Sequence, residues 1–256
     1  MSSNEIFKKV EKLYDDRIES TNNSIKATGG WGTENEVSLI CEEIFNKIGI
    51  QKNDRVLELG CGSGVLGNWI KKRCDYYVGA DISYKMVDFF LKSDHENKTN
   101  LLQGTTNKVP FANEIFDIII LNGVTMYFPD DKTLEETLEE MKRVLKSNGA
   151  IFIGENISSS GYPWELTWFQ DLSPSLQILA RPYIKIRRWL AEKNSKLAGK
   201  WKYIYREISP DLISKCFANI AKIEQSRAAT FTIRTRLLGK KYNGSRRVDF
   251  LINLQQ

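Results

Sequence analysis

The fold is decided by one short stretch, Arg55-Val56-Leu57-Glu58-Leu59-Gly60-Cys61-Gly62-Ser63-Gly64. Its apolar residues come first and predict a strand that is buried on both faces of a parallel sheet. Three glycines at alternate positions follow, and because they lack a Cβ they let the backbone turn sharply and a ligand approach closely. Residues 65–73 carry apolar side chains at helical spacing and predict a helix. A strand, a glycine turn and a helix together predict a nucleotide-binding corner.

The glycine turn alone does not say which nucleotide binds. Residues 62–67 fit the spacing of a dinucleotide-binding turn, but that pattern is weak by itself. Glu58, two positions before the first glycine, is more informative. A carboxylate at this strand end would repel a pyrophosphate, whereas it suits a ligand that carries an amino group.

The segment from Glu58 to Gly64 resembles the first motif of the class I S-adenosylmethionine (SAM) dependent methyltransferases. In that family the loop wraps the methionine half of SAM, and the acidic residue lies near its ammonium group, often through water. The resemblance implies SAM as the cofactor and a first set of residues that hold it: Glu58, Gly60, Gly62 and Gly64. The alternative is a glycine-rich turn that binds no ligand.

A second acidic residue follows the next predicted strand. That strand covers residues 76–80, and Asp81 comes directly after it, about 20 residues beyond the glycine turn, where a carboxylate can accept both hydroxyls of a ribose. Asp81-Ile82-Ser83 resembles the family's second motif, in which the acid binds ribose and the next side chain, here Ile82, packs on adenine. Ser83 also suits the N-cap of a helix over 84–92. An Asp at a strand end is otherwise a common turn residue.

Two further runs, residues 101–106 and 109–121, resemble the family segment in which a third strand ends in Gly-Asp-Ala and a Pro-Phe turn leads to the fourth strand. The match departs at Thr105, which replaces the acid that meets the adenine amino group in the family. A hydroxyl accepts a weaker hydrogen bond than a carboxylate does, so backbone groups and stacking are the other means of holding adenine. Thr106 and Asn122 complete this part of the candidate cofactor set.

The loop over residues 122–130 follows the fourth strand, and ligand crevices in such sheets open at the carboxyl ends of the strands. We therefore expect methyl donor and acceptor to meet at this loop, which contains Tyr127. The family's Asn-Pro-Pro-Tyr signature for base or amide nitrogen is absent, because Gly123 follows Asn122. This absence argues against nucleobase N-methylation.

Residues 1–49 predict two amphipathic helices before the first strand. Apolar side chains recur at helical spacing over residues 4–19, and Thr33 opens a capping-box pattern at the start of the second helix. In the family such N-terminal elements often cover the SAM cleft. Tyr14 and Trp31 are therefore candidates for contact with the cofactor, although packing against the core accounts for them equally well.

The segment 157–206 departs from the plain fold, since it is too long for the usual turn and too apolar for a disordered linker. It contains nine aromatic residues, and its part 181–206 contains nine basic residues against one acid. We predict an inserted, mostly helical cap over the acceptor site, suited to a planar or glycosidic acceptor that bears phosphate or carboxylate. The alternative is a solvated helix face with a small apolar seam.

The remaining elements complete the core, which we assign to residues 50–156 and 207–256. The patterns predict helices over 131–146 and 209–218, and strands over 150–154, over 220–225 with 230–233, and over 248–253. The resemblance then implies the fold class: an α/β, Rossmann-like methyltransferase sheet of seven strands that ends in an antiparallel hairpin, with helices on both faces.

Composition sets the broad class. The chain has 256 residues and a net charge of +5, and its 41% hydrophobic and 27% charged residues are ordinary for a soluble globular protein. No run approaches the roughly 18 apolar residues of a membrane span, and the N-terminus lacks the regions of a signal peptide. The four cysteines have no metal-ligand spacing, so we expect no metal, and reduced thiols in a cytoplasmic protein. The charge permits an anionic acceptor without requiring one.

The chemistry needs few catalytic groups. Methyl transfer from a sulfonium requires alignment and a dry site, an oxygen acceptor also needs a base, and an amine must only arrive unprotonated. The only histidine, His95, follows the second core helix in a polar run at the wrong end of the sheet, and we predict that it lies on the surface. Glu155 and Tyr127 remain as catalytic candidates, with Glu155 as the base or amine anchor on the acceptor side.

These patterns favour a SAM-dependent methyltransferase that acts on an oxygen or nitrogen atom of a small molecule, such as a sugar, a sugar nucleotide or a secondary metabolite. A second hypothesis is an RNA methyltransferase that uses the basic cap for backbone contacts. No appended RNA-binding module is recognisable, which argues against nucleic acid as a partner. A third hypothesis is a SAM-binding regulatory or scaffolding subunit without transferase activity, and a fourth is a nicotinamide dehydrogenase.

Overall fold

In a computed structural model of the protein, the described residues are 2–21, 23–28, 32–94, 99–157, 208, 210–218, 220–229, 233 and 247–255. The strands within these ranges are β1 (Arg55–Leu59), β2 (Tyr76–Asp81), β3 (Asn100–Gln103), β4 (Phe116–Asn122), β5 (Leu145–Ile157), β6 (Ala221–Arg227) and β7 (Arg247–Leu254). The helices are α1 (Ser3–Thr21), α2 (Ser24–Thr28), α3 (Glu34–Ile48), α4 (Gly67–Ile70), α5 (Tyr84–Ser93), α6 (Asp131–Val144) and α7 (Pro210–Cys216).

The strands form one mixed sheet in the order β3-β2-β1-β4-β5-β7-β6. Strands β1 to β5 run parallel to one another, and β7 lies antiparallel between β5 and β6. The predicted fold class, a seven-stranded sheet that ends in an antiparallel hairpin, is confirmed. The strand order reverses between β1 and β4, and parallel sheets open a ligand crevice at such a point.

The sheet is covered on both faces, because successive side chains of a strand point to opposite sides. Leu57 and Leu59 pack with side chains of α6 and α7 on one face. Val56 packs with side chains of α3, α4 and α5 on the other face. Glu58 alternates with the two leucines and therefore projects to the same side of the sheet as Val56. This alternation brings a carboxyl group into an otherwise apolar layer.

Two helix caps agree with the sequence. Thr33 accepts a hydrogen bond from the backbone of Glu36, whose side chain accepts one in return, so the predicted capping box is present. Ser83 accepts a hydrogen bond from the backbone N–H of Met86 and caps α5 as predicted.

Two predicted helices are too long. The helix predicted over 65–73 is limited to α4, because the turn before it extends to Leu66 and the segment after Ile70 forms turns. The helix predicted over 131–146 ends at Val144, because Leu145 has extended backbone angles and pairs with Phe116 as the start of β5.

Other predictions concern parts of the chain that the structure does not describe. They include Trp31, His95, Ser209, residues 230–232 and the predicted cap apart from Ile157, which ends β5. These stay predictions from the sequence, whereas the strand predicted over 230–233 is wrong at Ile233, which is helical.

Candidate functional site

A cleft opens at the carboxyl edge of the sheet, over the ends of β1, β2 and β4 and beneath α1. Most of the predicted site residues lie on its wall: Tyr14, Glu58, Gly60, Gly62, Asp81, Ile82, Thr105, Thr106, Asn122, Tyr127 and Glu155. Gly64 is not on the wall. The cleft contains about 1270 Å³ of atom-free space, a volume that includes its open mouth.

The floor of the cleft is the glycine turn after β1. Gly60 and Gly62 have φ angles of 78° and 51°, in the left-handed region that favours glycine. A Cβ on Gly60 would lie 2.2 Å from Val124, so this position also needs glycine for space. A Cβ on Gly64 would lie 2.3 Å from the ring of Phe90, behind the turn. Gly64 therefore lets the turn pack on α5 rather than lining the cleft.

Asp81 stands at the end of β2 and is held by the backbone. Its carboxylate accepts the N–H of Gly62 at 2.7 Å and the N–H of Ser83 at 2.9 Å. Burial raises the pKa of Asp81 to about 6, although these two hydrogen bonds favour the ionised form. The carboxylate is therefore fixed in orientation, and each of its oxygens retains a lone pair for a further donor.

Glu58 stands at the end of β1 on the other side of the turn. Its side chain is buried, with 3% of the residue exposed, and the hydroxyl of Tyr77 donates to Oε2 at 2.5 Å. Burial raises the pKa of Glu58 to about 8, and the nearby charge of Asp81 acts in the same direction. No described lysine or arginine forms an ion pair with Glu58. A cationic ligand group would therefore match an uncompensated carboxyl group.

Helix α1 closes the cleft from above, and several hydrogen bonds attach it to the loops around the cleft. The hydroxyl of Tyr14 donates to the hydroxyl of Tyr127 at 2.7 Å, and their rings meet edge to face. The hydroxyl of Ser83 donates to Asp15 at 2.5 Å. Near the start of α1 the hydroxyl of Ser3 donates to Asp130 at 3.1 Å. The helix thus connects the end of β2 to the loop after β4.

The far end of the cleft contains Glu155 in a strained backbone conformation. Its φ angle is 60°, where side chains are disfavoured, and the register of β5 with β7 shifts between Ile153 and Asn156. The N–H of Glu155 donates to Asp249 at 2.9 Å. This bulge places Glu155 on the cleft wall, although only 5% of the residue is exposed.

Asp249 connects this bulge to α3 and to the segment that contains Ala229. Its carboxylate accepts the ammonium of Lys47 at 2.7 Å and the N–H of Ala229 at 3.0 Å. Burial raises the pKa of Asp249 to about 6, and the charge of Glu155 also raises it, whereas Lys47 lowers it. No sequence pattern indicates this cluster, because Lys47 and Asp249 lie 202 residues apart.

Sequence reasoning also missed part of the cleft wall. Phe7, Val10 and Arg17 line the cleft together with Tyr14. Their spacing of three and four residues puts them on one face of α1. The apolar spacing predicts the helix, but it does not say whether that face covers the core or the cleft.

The described residues show neither a metal cluster nor a membrane helix. No group of three or more His, Cys, Asp or Glu side chains among them could hold a metal ion. No helix in the same ranges combines the length and the apolar character needed to cross a membrane.

Comparison with known proteins finds similarity to methyltransferases. A family model described as "Methyltransferase domain" matches residues 57–153. The chain is 25% identical over 203 residues to the demethylmenaquinone methyltransferase of Lactobacillus johnsonii, and the match covers 75% of this chain and 77% of that protein. It is 30% identical over 125 residues to the chondramide synthase of Chondromyces crocatus, where the match covers 47% of this chain but only 3% of the synthase.

The fold is also found among solved structures. Phosphoethanolamine N-methyltransferase 1 of Haemonchus contortus, in complex with phosphoethanolamine and S-adenosylhomocysteine, superposes with a TM-score of 0.64. The match covers 99% of this chain and 50% of that chain, at 13% sequence identity. At this identity the likeness shows the fold alone.

Proposed function

We propose that the protein is a class I, SAM-dependent methyltransferase that transfers a methyl group from SAM to a small molecule, and the methyltransferase model that matches residues 57–153 supports this proposal. When bound, SAM supplies a methyl group that the positive charge of its sulfonium already activates. The chain's own residues would bind and align the two reactants and keep water out. The observation that carries the proposal is the pair of buried carboxyl groups, Glu58 and Asp81, on either side of the glycine turn.

The two carboxyl groups divide the work of binding. We assign Asp81 to the ribose, because its carboxylate is already oriented by two backbone N–H groups and can accept two hydroxyls. We assign Glu58 to the ammonium of the methionine half, because no described basic side chain neutralises it. A dinucleotide would place its pyrophosphate at the same turn, next to Glu58. Where Glu58 is ionised, its repulsion of the pyrophosphate favours SAM over NAD.

The rest of the cofactor set follows the cleft wall. Ile82, Thr105 and Thr106 line the part beyond Asp81 and are assigned to the adenine. The remaining assigned wall residues lie over the turn and the end of β4: Gly60, Gly62, Asn122 and Tyr14. We assign Gly64 a supporting role, since it packs on Phe90. Trp31 stays a candidate from the sequence.

The acceptor would enter at the end of the cleft that contains Tyr127 and Glu155. Val10, Met126 and Phe128 contribute apolar surface there, which excludes water. A carboxylate can take the proton of an acceptor hydroxyl or hold an acceptor amine, so Glu155 suits an oxygen or a nitrogen atom. The hydroxyl of Tyr127 and its ring would position the acceptor.

One set of observations favours a small acceptor, and another favours an anionic acceptor. The cleft is enclosed by α1, and proteins similar to the chain are named for demethylmenaquinone and phosphoethanolamine, which favours a small molecule. For an anionic acceptor, the counter-charges would come from Arg17, on the cleft wall, and from the basic run 181–206. The same run is the feature that favours RNA as a second candidate.

One experiment separates these acceptors. The protein is incubated with methyl-labelled SAM and either pooled metabolites or total RNA, at low and high salt. We expect label in the small-molecule fraction, with little dependence on salt. Label in RNA with a steep loss at high salt would establish the second candidate, and binding of SAM without any transfer would indicate a regulatory subunit.

Glu155→Gln tests the acceptor side. The amide cannot take a proton, so we predict at least a tenfold loss of turnover, in line with the roughly 10²–10⁴-fold contribution of a positioned base. Binding of S-adenosylhomocysteine (SAH), the cofactor product, is expected to stay within about twofold of wild type, since Glu155 lies away from the turn. Full turnover in the variant would remove this role from Glu155.

A further inference from the structure

Tyr77 lies directly behind Glu58 and has no place yet in the proposed function. It is the second residue of β2, pairs in register with Val56 of β1, and is fully buried. Its hydroxyl donates to Glu58 Oε2 at 2.5 Å. Tyr77 is not part of the cleft wall, whereas Glu58 is. Through its hydrogen bond, Tyr77 can therefore act on a ligand in the cleft by way of Glu58.

The space around this hydroxyl is made by two glycines. A Cβ on Gly67 would lie 2.4 Å from the hydroxyl oxygen of Tyr77, and a Cβ on Gly79 would lie 2.9 Å from it. Neither glycine has a left-handed backbone, so space rather than conformation requires glycine there. The ring of Tyr77 packs against Phe90 at 6.2 Å between centroids. Residues of β1, β2, α4 and α5 thus hold the hydroxyl of Tyr77 in one position.

We infer that Tyr77 is a positioning residue that fixes the Glu58 carboxylate for the ammonium group of the cofactor. The inference rests on the proposed function, because it requires an amino-acid ligand at Glu58. A hydrogen bond to one carboxylate oxygen sets the plane of the group and stabilises its ionised form. The other oxygen is then available to the ligand. This role is absent from the sequence motif, which contains Glu58 but not Tyr77.

The ionisable groups around Glu58 determine which charge in this part of the cleft changes with pH. The groups that act on it electrostatically are Cys41 on α3, Cys61 on the turn, and Asp81 and Tyr77 on β2. Burial raises the pKa of both thiols and of the Tyr77 hydroxyl, so these three stay neutral and Tyr77 stays a donor. Asp81, with a pKa of about 6, is ionised above neutral pH. Between pH 7 and 9, Glu58 is therefore the member of this group that changes charge.

The test is the pH profile of SAH affinity in Tyr77→Phe, measured by calorimetry from pH 6 to 9. Wild-type affinity is expected to rise as Glu58 ionises. Without the hydroxyl the ionised form loses a donor, so the rise shifts to higher pH and the affinity at pH 7 falls roughly tenfold or more. Tyr76→Phe is the matched control: it removes the neighbouring hydroxyl, and we expect the wild-type profile. The ionisable groups of SAH titrate in the same way in the experiments with wild type, Tyr77→Phe and Tyr76→Phe. Differences between the three pH profiles therefore come from the protein.

A double-mutant cycle separates positioning from a general effect on the fold. Because Tyr77 acts through Glu58, Tyr77→Phe should change SAH affinity by less than about twofold in a Glu58→Gln background. An equal loss in both backgrounds, or a wild-type pH profile in Tyr77→Phe, would overturn the inference while the proposed function stands. If wild-type protein binds no SAH at any pH, the proposed function fails and the inference fails with it.

Discussion

At the scale of single residues, the cleft keeps two carboxyl groups out of water with little compensation. Glu58 accepts a hydrogen bond from a neutral hydroxyl, and Asp81 accepts two from backbone N–H groups. Burial of a carboxylate disfavours its charged form, which is why both pKa values are raised. A ligand that brings an ammonium and a pair of hydroxyls supplies the missing partners. The site is therefore arranged for binding rather than for maximum stability.

The unfavourable burial of the Glu58 carboxylate predicts that the stability of the fold depends on pH. A carboxyl group with a pKa near 8 in the folded state and an ordinary value of 4.5 when unfolded binds more protons in the folded state between these limits. The free energy of unfolding must then fall as pH rises from about 5 to 8. We expect this fall to be smaller in Glu58→Gln, measured by urea denaturation of both proteins without ligand.

The comparison between the two proteins isolates Glu58. Asp81 and Asp249, each with a pKa of about 6, act in the same direction over a lower pH range in both proteins. Their contribution cancels in the difference between wild type and variant. A difference that stays constant or grows in favour of wild type as pH rises would contradict the account of Glu58.

At the scale of elements, α1 is both a wall of the cleft and a connection between two ends of the sheet. Tyr14 and Asp15 bond to residues on either side of the switch point, and Phe7, Val10 and Arg17 face the cleft. A ligand in the cleft would contact this face and favour the closed helix.

Hydrogen exchange tests this role of α1. We predict that SAH slows the exchange of the backbone amides of α1, because opening of the helix becomes coupled to loss of the ligand. Helix α7 packs on the sheet behind α6, has no residue on the cleft wall and is the internal control, with exchange expected to be unchanged. Equal protection of α1 with and without SAH, in a protein that binds SAH, would show that α1 does not cover the ligand.

The bulge in β5 is the second element with a specific prediction. Asp249→Ala removes one partner of Lys47 and the carboxylate that accepts the N–H groups of Glu155 and Ala229. Removal of one member of a buried ion pair costs roughly 3–5 kcal/mol, so we predict a loss of this size in the free energy of unfolding. Chemical denaturation measures it.

A matched surface pair provides the control. Lys92 and Asp88 form an ion pair in which the lysine side chain is 74% exposed, and such pairs contribute only about 0–1 kcal/mol. Asp88→Ala should therefore have little effect. Similar losses in Asp249→Ala and Asp88→Ala would mean that the bulge is not held by Asp249.

At the scale of the whole molecule, the sequence predicted what depends on local pattern. The buried strand, the glycine turn and Asp81 have fixed spacing, and from them the sheet and the position of the cleft follow. The pattern could not predict contacts between distant parts of the chain, such as Lys47 with Asp249. It also placed Tyr77 in the strand predicted over 76–80, where nothing local indicates that its hydroxyl has a partner on the neighbouring strand β1.

The start of α4 and the end of α6 were predicted wrongly for a related reason. Apolar spacing predicted a helix from residue 65, but the turn occupies that part of the chain as far as Leu66. Helical spacing also continued past Val144, whereas pairing with Phe116 starts β5 at Leu145. At Leu145 a tertiary contact thus overrides the local preference.

The most direct test of the central claim is a calorimetric titration of the whole protein with SAH and, separately, with NADH. The account predicts saturable binding of SAH and none of NADH. It also predicts that Asp81→Asn weakens SAH binding by roughly tenfold or more, because a charged hydrogen-bond acceptor for the ribose is lost. No heat with SAH together with tight binding of NADH would contradict it.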